Sequence, residues 1–509
     1  MHLRATSANV NLLLATVFTA LAGMGAALFF WEPSLELAGY VGLLLLFTAL
    51  VGGLILQRWA KGQLDWFEPG VFVSLLYLAV FGYGGLRLVA QPALLHPLLE
   101  SDRRWLFLGL FFIVLGVIAF WVGYYGPLGR SLSELVGRTK HERLRATAAI
   151  QPFWVVALYG IGLAARLYMI QAGWYSYLMQ RESYFSSLAS AQVFMMVELF
   201  CRFALVLAWL DHFSHPRDSR RRLLAYALMG SELFWGFFSG MKSSVLYPIL
   251  LVAMAYTYKR GRFPLRVALV ALLLLVLLYP INGTYRELVR SGTVQIRSPV
   301  DMIATTPLIL RESLFQFAGS RVYLESGYES TVNRATSLLQ NYALLIKYLD
   351  TTGAYWRGRE LVLLPALVFV PRFIWPDKPL YDKGYWFAVN VWGQDPHIYS
   401  SIALTYPGDL YLQFGLLSLV LGMFLTGVLF RWLYERCAWA RSDYYLFFYI
   451  FLFYSLVRHE SDLVFKLAGT TKIFLILFVL SLLVFRPARR LVTSYSLAPP
   501  IHAPGTQVS

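Results

Sequence analysis

Apolar runs of about 20 residues recur along nearly the whole of this 509-residue chain. Coiled as a helix, a run of that length matches the hydrocarbon thickness of a bilayer. In lipid every backbone amide must be satisfied within the protein, which leaves only helices and closed barrels. The runs are continuous rather than alternating in polarity, so helices are expected. They fall near residues 9–30, 37–57, 70–90, 105–125, 151–171, 191–211, 223–239, 243–258, 266–282, 409–430, 444–457 and 470–485, which makes about 12 spans. Only 14% of the residues are charged, against about a quarter in a soluble domain, so there is no room for a large soluble domain. The first run, Val10 to Trp31, is too long for the core of a cleaved signal peptide and reads as an uncleaved span. The expected fold is an all-α polytopic integral membrane protein.

The formal net charge of +16 is a topology signal. With the N-terminus inside, the internal segments include "QRWAKGQ", "GRSLSELVGRTKHERLR", "HPRDSRRR", "YKRGRFPLR", "RWLYERCAWARSD" and "RPARR". Together with Arg4 they hold half of the 44 lysines and arginines, as the positive-inside rule requires. The charge therefore gives no evidence for nucleic acid. Residues 1–282 carry nine spans, 283–408 form one long external region of nearly balanced charge, and 409–486 carry three more spans. Residues 487–509 read as a disordered internal tail. The stretch Leu361 to Trp375 is apolar but short and holds Pro365, Pro371 and Arg372. If it crossed, the basic segment after residue 430 would land outside, so it reads as buried or re-entrant. Cys201 and Cys437 sit in or beside apolar runs, and no disulfide is expected.

The remaining ionisable residues gather on the external side. Lys242 stands in the turn "SGMKSSV", Arg286 and Arg290 leave the end of one span, and Arg372 and Lys378 lie in "VPRFIWPDKPLYDKG". Asp409 opens a span in "YPGDLYLQFG", and Arg458, His459, Glu460 and Asp462 end another in "VRHESD". Arg87, Arg166, Glu198, Arg202 and Glu232 lie within spans, towards the outer half. Such groups are costly in lipid and normally face a bundle interior or a wet cavity. A mostly cationic cavity opening outward is expected, and it suits a lipid-linked pyrophosphate. Its cations would also stabilise a departing pyrophosphate. Glu198 and Arg202, spaced i,i+4, read as a structural ion pair, while Glu232 has no sequence partner and reads as a cavity residue. There is no Asp-x-Asp, His/Cys ligand cluster or Gly-rich phosphate loop, so no metal or cofactor is called for. Aromatic stripes such as "YWFAVNVW" read as interfacial anchors before sugar platforms.

"PRFIWPDKP" after an apolar run, "YPGDLYLQFG" opening a span and the upstream "GMKSS" together resemble the bacterial oligosaccharide repeat-unit polymerases, the O-antigen (Wzy-type) family. The resemblance implies a multi-span, lipid-dependent (GT-C-like) glycosyltransferase of the bacterial inner membrane, active at its periplasmic face with both termini cytoplasmic. It would move a growing glycan from undecaprenyl pyrophosphate onto a lipid-linked repeat unit. A chain-length regulator protein is the implied protein partner. On this reading Arg372, Lys378, Arg286, Arg290, Lys242, Arg458 and Arg166 bind the pyrophosphate. Asp409, Glu460 or His459 takes the acceptor proton. A glycan ligase that needs the same grip and a lipid-linked oligosaccharide flippase are the alternatives.

Overall fold

The structure, a computed structural model, describes residues 36–90, 92–100, 102–136, 148–175, 187–294, 296, 298–319, 321–370, 374–375, 382–397, 400–438, 442–458 and 462–485. The first expected span and the C-terminal tail lie outside the described residues. Everything regular among the described residues is helical. Seven helices there are long and apolar enough to cross a membrane, so the fold is that of a polytopic, all-α membrane protein.

In chain order the helices are α1 (Glu36–Ala60), α2 (Pro69–Tyr77), which passes through a π-helical turn at Leu78–Tyr83 into α3 (Gly84–Ala90), α4 (Arg104–Tyr125), α5 (Pro127–Val136), α6 (Pro152–Gln171) and α7 (Leu188–Ser214). Then follow α8 (Ser219–Phe238), α9 (Lys242–Arg260), α10 (Leu265–Arg290), α11 (Pro299–Gly319) and α12 (Arg321–Thr352). The last group is α13 (Arg359–Phe369), α14 (Lys383–Asn390), α15 (Thr405–Phe414), α16 (Leu416–Leu433), α17 (Asp443–Leu456) and α18 (Leu463–Val484). The helices at the expected spans 223–239, 243–258 and 266–282 are present as α8, α9 and α10, and α17 is apolar with 14 residues. The π-turn frees carbonyls that a regular helix would use; the Tyr40 hydroxyl of α1 donates to Phe81 O and Gly82 O at 3.1 and 3.0 Å.

Between helices that all face lipid or one another, hydrophobic burial gives little drive, and close approach through small residues takes over. The α4–α16 pair shows it. A Cβ on Gly123 would lie 2.1 Å from Phe424 O, and one on Gly427 would lie 2.2 Å from Phe120 O. The two backbones meet at those positions because neither residue has a side chain. One end of this pair is basic: Arg431 lies over Tyr124 and Arg58 over Tyr125. The other end, more than 20 Å away along α16 by helix rise, begins just after Asp409.

The 283–408 stretch is largely helical. Leu338 to Leu349 of α12 are mostly buried, and Leu339 fills the space over Gly85 and Gly109, at the ends of α3 and α4 away from the basic face. The short apolar stretch after Arg359 forms α13, whose 11 residues rise about 17 Å and are too short to span. Both cysteines are free and buried, so introduced cysteines will report topology without background. Asn390→Cys and Lys61→Cys, both at exposed positions, are expected to react with an impermeant thiol reagent from opposite sides of the membrane, Asn390→Cys from outside. Labelling of both from one side would refute the assignment of residues 283–408 to a single external region.

Candidate functional site

At the end of the bundle away from the basic face, one amine meets three carboxylates. Lys383 opens α14, whose cap is Asp382 accepting from Tyr385 N at 2.9 Å. The lysine is 2% exposed. Its Nζ donates to Asp409 Oδ1 at 2.5 Å, contacts Glu360 Oε2 of α13, and lies 3.8 Å from Asp462 Oδ1. Trp356 covers it, with the ring centroid 5.7 Å from Nζ. Asp409 is fully engaged: its Oδ2 accepts from the N–H groups of Leu463 and Val464 at 2.9 and 3.4 Å, the orphan amides that start α18. Asp462 caps the same helix through Phe465 N. Glu360 differs. It is 1% exposed, its contact with Lys383 lies outside hydrogen-bond geometry, and neither of its oxygens has a hydrogen-bond partner among the described residues. We read the contact as an ion pair whose carboxylate still has hydrogen-bonding capacity to spare.

Ionised in full, these four groups carry an excess of two negative charges in a buried place. Burial pushes the Glu360 carboxyl up, against the pull of Lys383. Asp462 is pushed up by burial too, again opposed by Lys383. For Lys383 burial works the other way, yet Asp409, Asp462 and Glu360 outweigh it and raise the amine. An acid whose pKa rises on folding contributes stability below its ordinary range and loses it as the pH climbs through the raised value. The native protein should therefore lose melting temperature relative to Glu360→Gln as the pH is taken from about 4 to about 8. A difference between the two proteins that stays constant over that range would mean Glu360 titrates normally.

Backbone strain flanks the cluster. Arg357 and Thr405 have φ of 52° and 66°. A left-handed β-branched residue is a true outlier, costing on the order of 1–3 kcal/mol. Thr405 sits one turn before Asp409, and residues 356–358 are pinned to the end of α15 by Trp356 N to Leu412 O and Arg357 N to Gln413 O, at 3.0 and 2.9 Å. The surroundings thus over-determine both positions that lead into Glu360 and Asp409.

A second ionic group lies within the bundle. Arg166 of α6, 1% exposed, donates to Glu198 Oε1 through Nε and Nη2 at 3.0 and 2.6 Å, and to Glu232 through Nη1 and Nη2 at 2.7 and 3.1 Å. Glu232, read from the sequence as a cavity residue because no partner stands near it in sequence, is paired with Arg166 from a different helix. Arg166 is closed in by carboxylates and does not line an open cavity. Arg202 stands 4.0 Å from Glu198 across one helical turn, the pairing expected of their spacing. Arg286 donates through Nε to Gly240 O at 2.5 Å, which fastens α10 to the turn before α9. Arg458 is exposed and lies over Tyr247 and Tyr454.

Arg372, Lys378, His459 and Glu460 lie outside the described residues, as do the side chains of Lys242 and Arg290. In sequence, Arg372 and Lys378 fall on the connection between Glu360 and Lys383, and His459 and Glu460 between Arg458 and Asp462. The expected single cavity is, among the described residues, two groups: an acidic one around Lys383 and a mixed one around Arg166. Between them, Tyr406 of α15 donates to Leu456 O at the end of α17 at 2.9 Å. Sequence reasoning missed Lys383 and Glu360. The available signal was a Lys directly after a Pro-rich turn and a Glu heading the one apolar run too short to span. No group of three His, Cys, Asp or Glu side chains among the described residues is arranged to hold a metal ion.

Residues 165–486, which contain both groups, match a family described as a domain of unknown function (DUF8712). No solved structure matches the chain.

Proposed function

For a chain that belongs to the DUF8712 family, we propose a polysaccharide polymerase that transfers a growing glycan from undecaprenyl pyrophosphate to a lipid-linked oligosaccharide repeat unit. The observation that carries the reading is the buried carboxylate cluster around Lys383, at the same end of a membrane-spanning bundle as the exposed Arg458. Glycosyl transfer to a hydroxyl needs a proton acceptor near the acceptor sugar and positive charge at the departing pyrophosphate. The carboxylate cluster supplies the first requirement. Arg458 and, from the sequence, Arg372 and Lys378 supply the second. Asp409 is held by Lys383 and by the α18 amides, so its role is to position Lys383. Glu360 and Glu460 are the better proton acceptors, with His459 next. In this reading the chain has about 12 spans, resembles the multi-span lipid-dependent glycosyltransferases, and sits in the bacterial inner membrane with Lys383 at the periplasmic end.

The test uses purified protein in nanodiscs and undecaprenyl-pyrophosphate-linked oligosaccharide extracted from cells lacking this chain. A ladder of lengthened lipid-linked glycan is expected, and it should persist in EDTA because Arg and Lys do the electrostatic work. Arg372→Lys keeps the charge but loses the bidentate fork, and should damage the ladder nearly as much as Arg372→Ala. Transfer of a single finished chain to lipid A core would make the protein a ligase. Translocation without any transfer would make it a flippase.

A further inference from the structure

We propose that Arg202 and Arg458, brought together on the ring of Tyr247, form a binding site for the phosphate group of a lipid. The two guanidinium carbons lie 5.8 and 5.1 Å from the centroid of that one ring. They are therefore no farther apart than the sum of those distances. The elements that bring them there are unrelated in sequence: Arg202 comes from the middle of α7, Tyr247 from the second turn of α9, and Arg458 from just beyond α17. Tyr454 of α17 packs edge-on against Tyr247 at 4.6 Å and lies under Arg458 at 5.7 Å, so Arg458 lies over two aromatic rings.

Two like charges gathered on one ring repel each other, and an anion between them relieves that repulsion. The protein provides only part of one. Glu198 is the carboxylate nearest Arg202, at 4.0 Å through Oε2, while its Oε1 accepts both of the bonds that Arg166 directs to it. Glu232 is likewise taken by Arg166. Among the described residues no carboxylate lies within ion-pair distance of Arg458. Among the described residues, Arg166 and Arg202 share the two carboxylates, and the exposed Arg458 has none within ion-pair distance. The depth also fits. Tyr247 is close to the start of α9 and Arg458 follows the end of α17, so Arg458 stands towards the headgroup layer, with Arg202, in the middle of α7, on its inner side. Planar guanidinium forks suit phosphate oxygens better than point charges do.

The shared chemistry is a phosphate on a lipid. Its source is either the pyrophosphate of the polyprenol donor, which rests on the polymerase reading, or the headgroup of a phospholipid. Binding to the full-length protein in detergent is measured by native mass spectrometry with three probes: undecaprenyl pyrophosphate, undecaprenyl phosphate and phosphatidylglycerol. The expected result is that undecaprenyl pyrophosphate binds tightest and that Arg458→Ala weakens it about tenfold or more. Arg458→Lys should recover part of the loss. Arg202→Gln should act in the same direction, and Lys61→Ala, on the basic face, should change nothing. Arginine-dependent binding of phosphatidylglycerol as tight as that of the pyrophosphate supports the site and assigns it to headgroups. Equal binding of all three lipids by the native protein, Arg458→Ala and the well-folded Arg458→Glu would overturn the proposal. No turnover is needed, so a failed polymer ladder with intact arginine-dependent binding counts against the polymerase reading alone.

Discussion

Lys383→Met is expected to cost the fold about 3–5 kcal/mol, the loss typical when one partner is removed from a buried ion pair. The lysine is 2% exposed, and its Nζ reaches Glu360, Asp409 and Asp462 together. Without it three carboxylates share one buried place, and at least one must take up a proton or drive the helices apart. The loss should be partly reversed by adding Glu360→Gln, which removes the carboxylate that no backbone amide supports. Adding Asp409→Asn should help less, because a neutral amide oxygen accepts more weakly than the carboxylate from the two N–H groups that start α18 and gives up the favourable charge at that helix end. Thermal unfolding of the detergent-solubilised protein, followed by size-exclusion chromatography, reads all three. A Lys383→Met protein that melts within a degree or two of the native one would show that the cluster is solvated and carries little energy.

Arg166→Met should cost a similar amount, about 3–5 kcal/mol, but with a different rescue. Here two carboxylates on two helices, Glu198 and Glu232, take all of the hydrogen bonds from one guanidinium. Removing both charges with Glu198→Gln and Glu232→Gln should restore most of the stability, since the other contacts of those oxygens are the looser ones of Glu198 with Arg202 at 4.0 Å and of Glu232 with Tyr159 at 3.3 Å. Arg202 then loses the negative charge of Glu198 beside it, so the triple variant should bind anions more tightly than the native protein. If the triple variant is no more stable than Arg166→Met alone, the triad holds its helices by shape and not by charge.

The class of fold was legible because bilayer thickness writes itself into local sequence: α1, α4, α6, α7, α16 and α18 all fall on apolar runs that a 20-residue window finds. Within residues 283–408, α12 mixes polar and charged residues with apolar ones, so it left no continuous apolar run to see, although Leu338 to Ile346 are all buried. Ion pairs divided in the same way. Glu198 and Arg202 are one helical turn apart, and their neighbourhood follows from spacing. Arg166 and Glu232 come from separate helices, as do Lys383 and its three partners, and no local pattern joins them. Arg286 looked like a free cation because its acceptor is a backbone carbonyl, Gly240 O, which no sequence pattern marks.

The contact between Glu360 and Lys383 closes a chain segment whose sequence includes Arg372 and Lys378. Once both ends of a segment are fixed, doubling its length costs only about 0.6 kcal/mol in closure entropy. Insertions, deletions and wholesale replacement between Val370 and Tyr381 should then leave the helices on either side where they are. A scaffold of this kind leaves the sequence between its two fixed ends free to change at little cost to the helices that hold it. Chimaeras that exchange this segment between members of the family should fold with the melting temperature of the recipient.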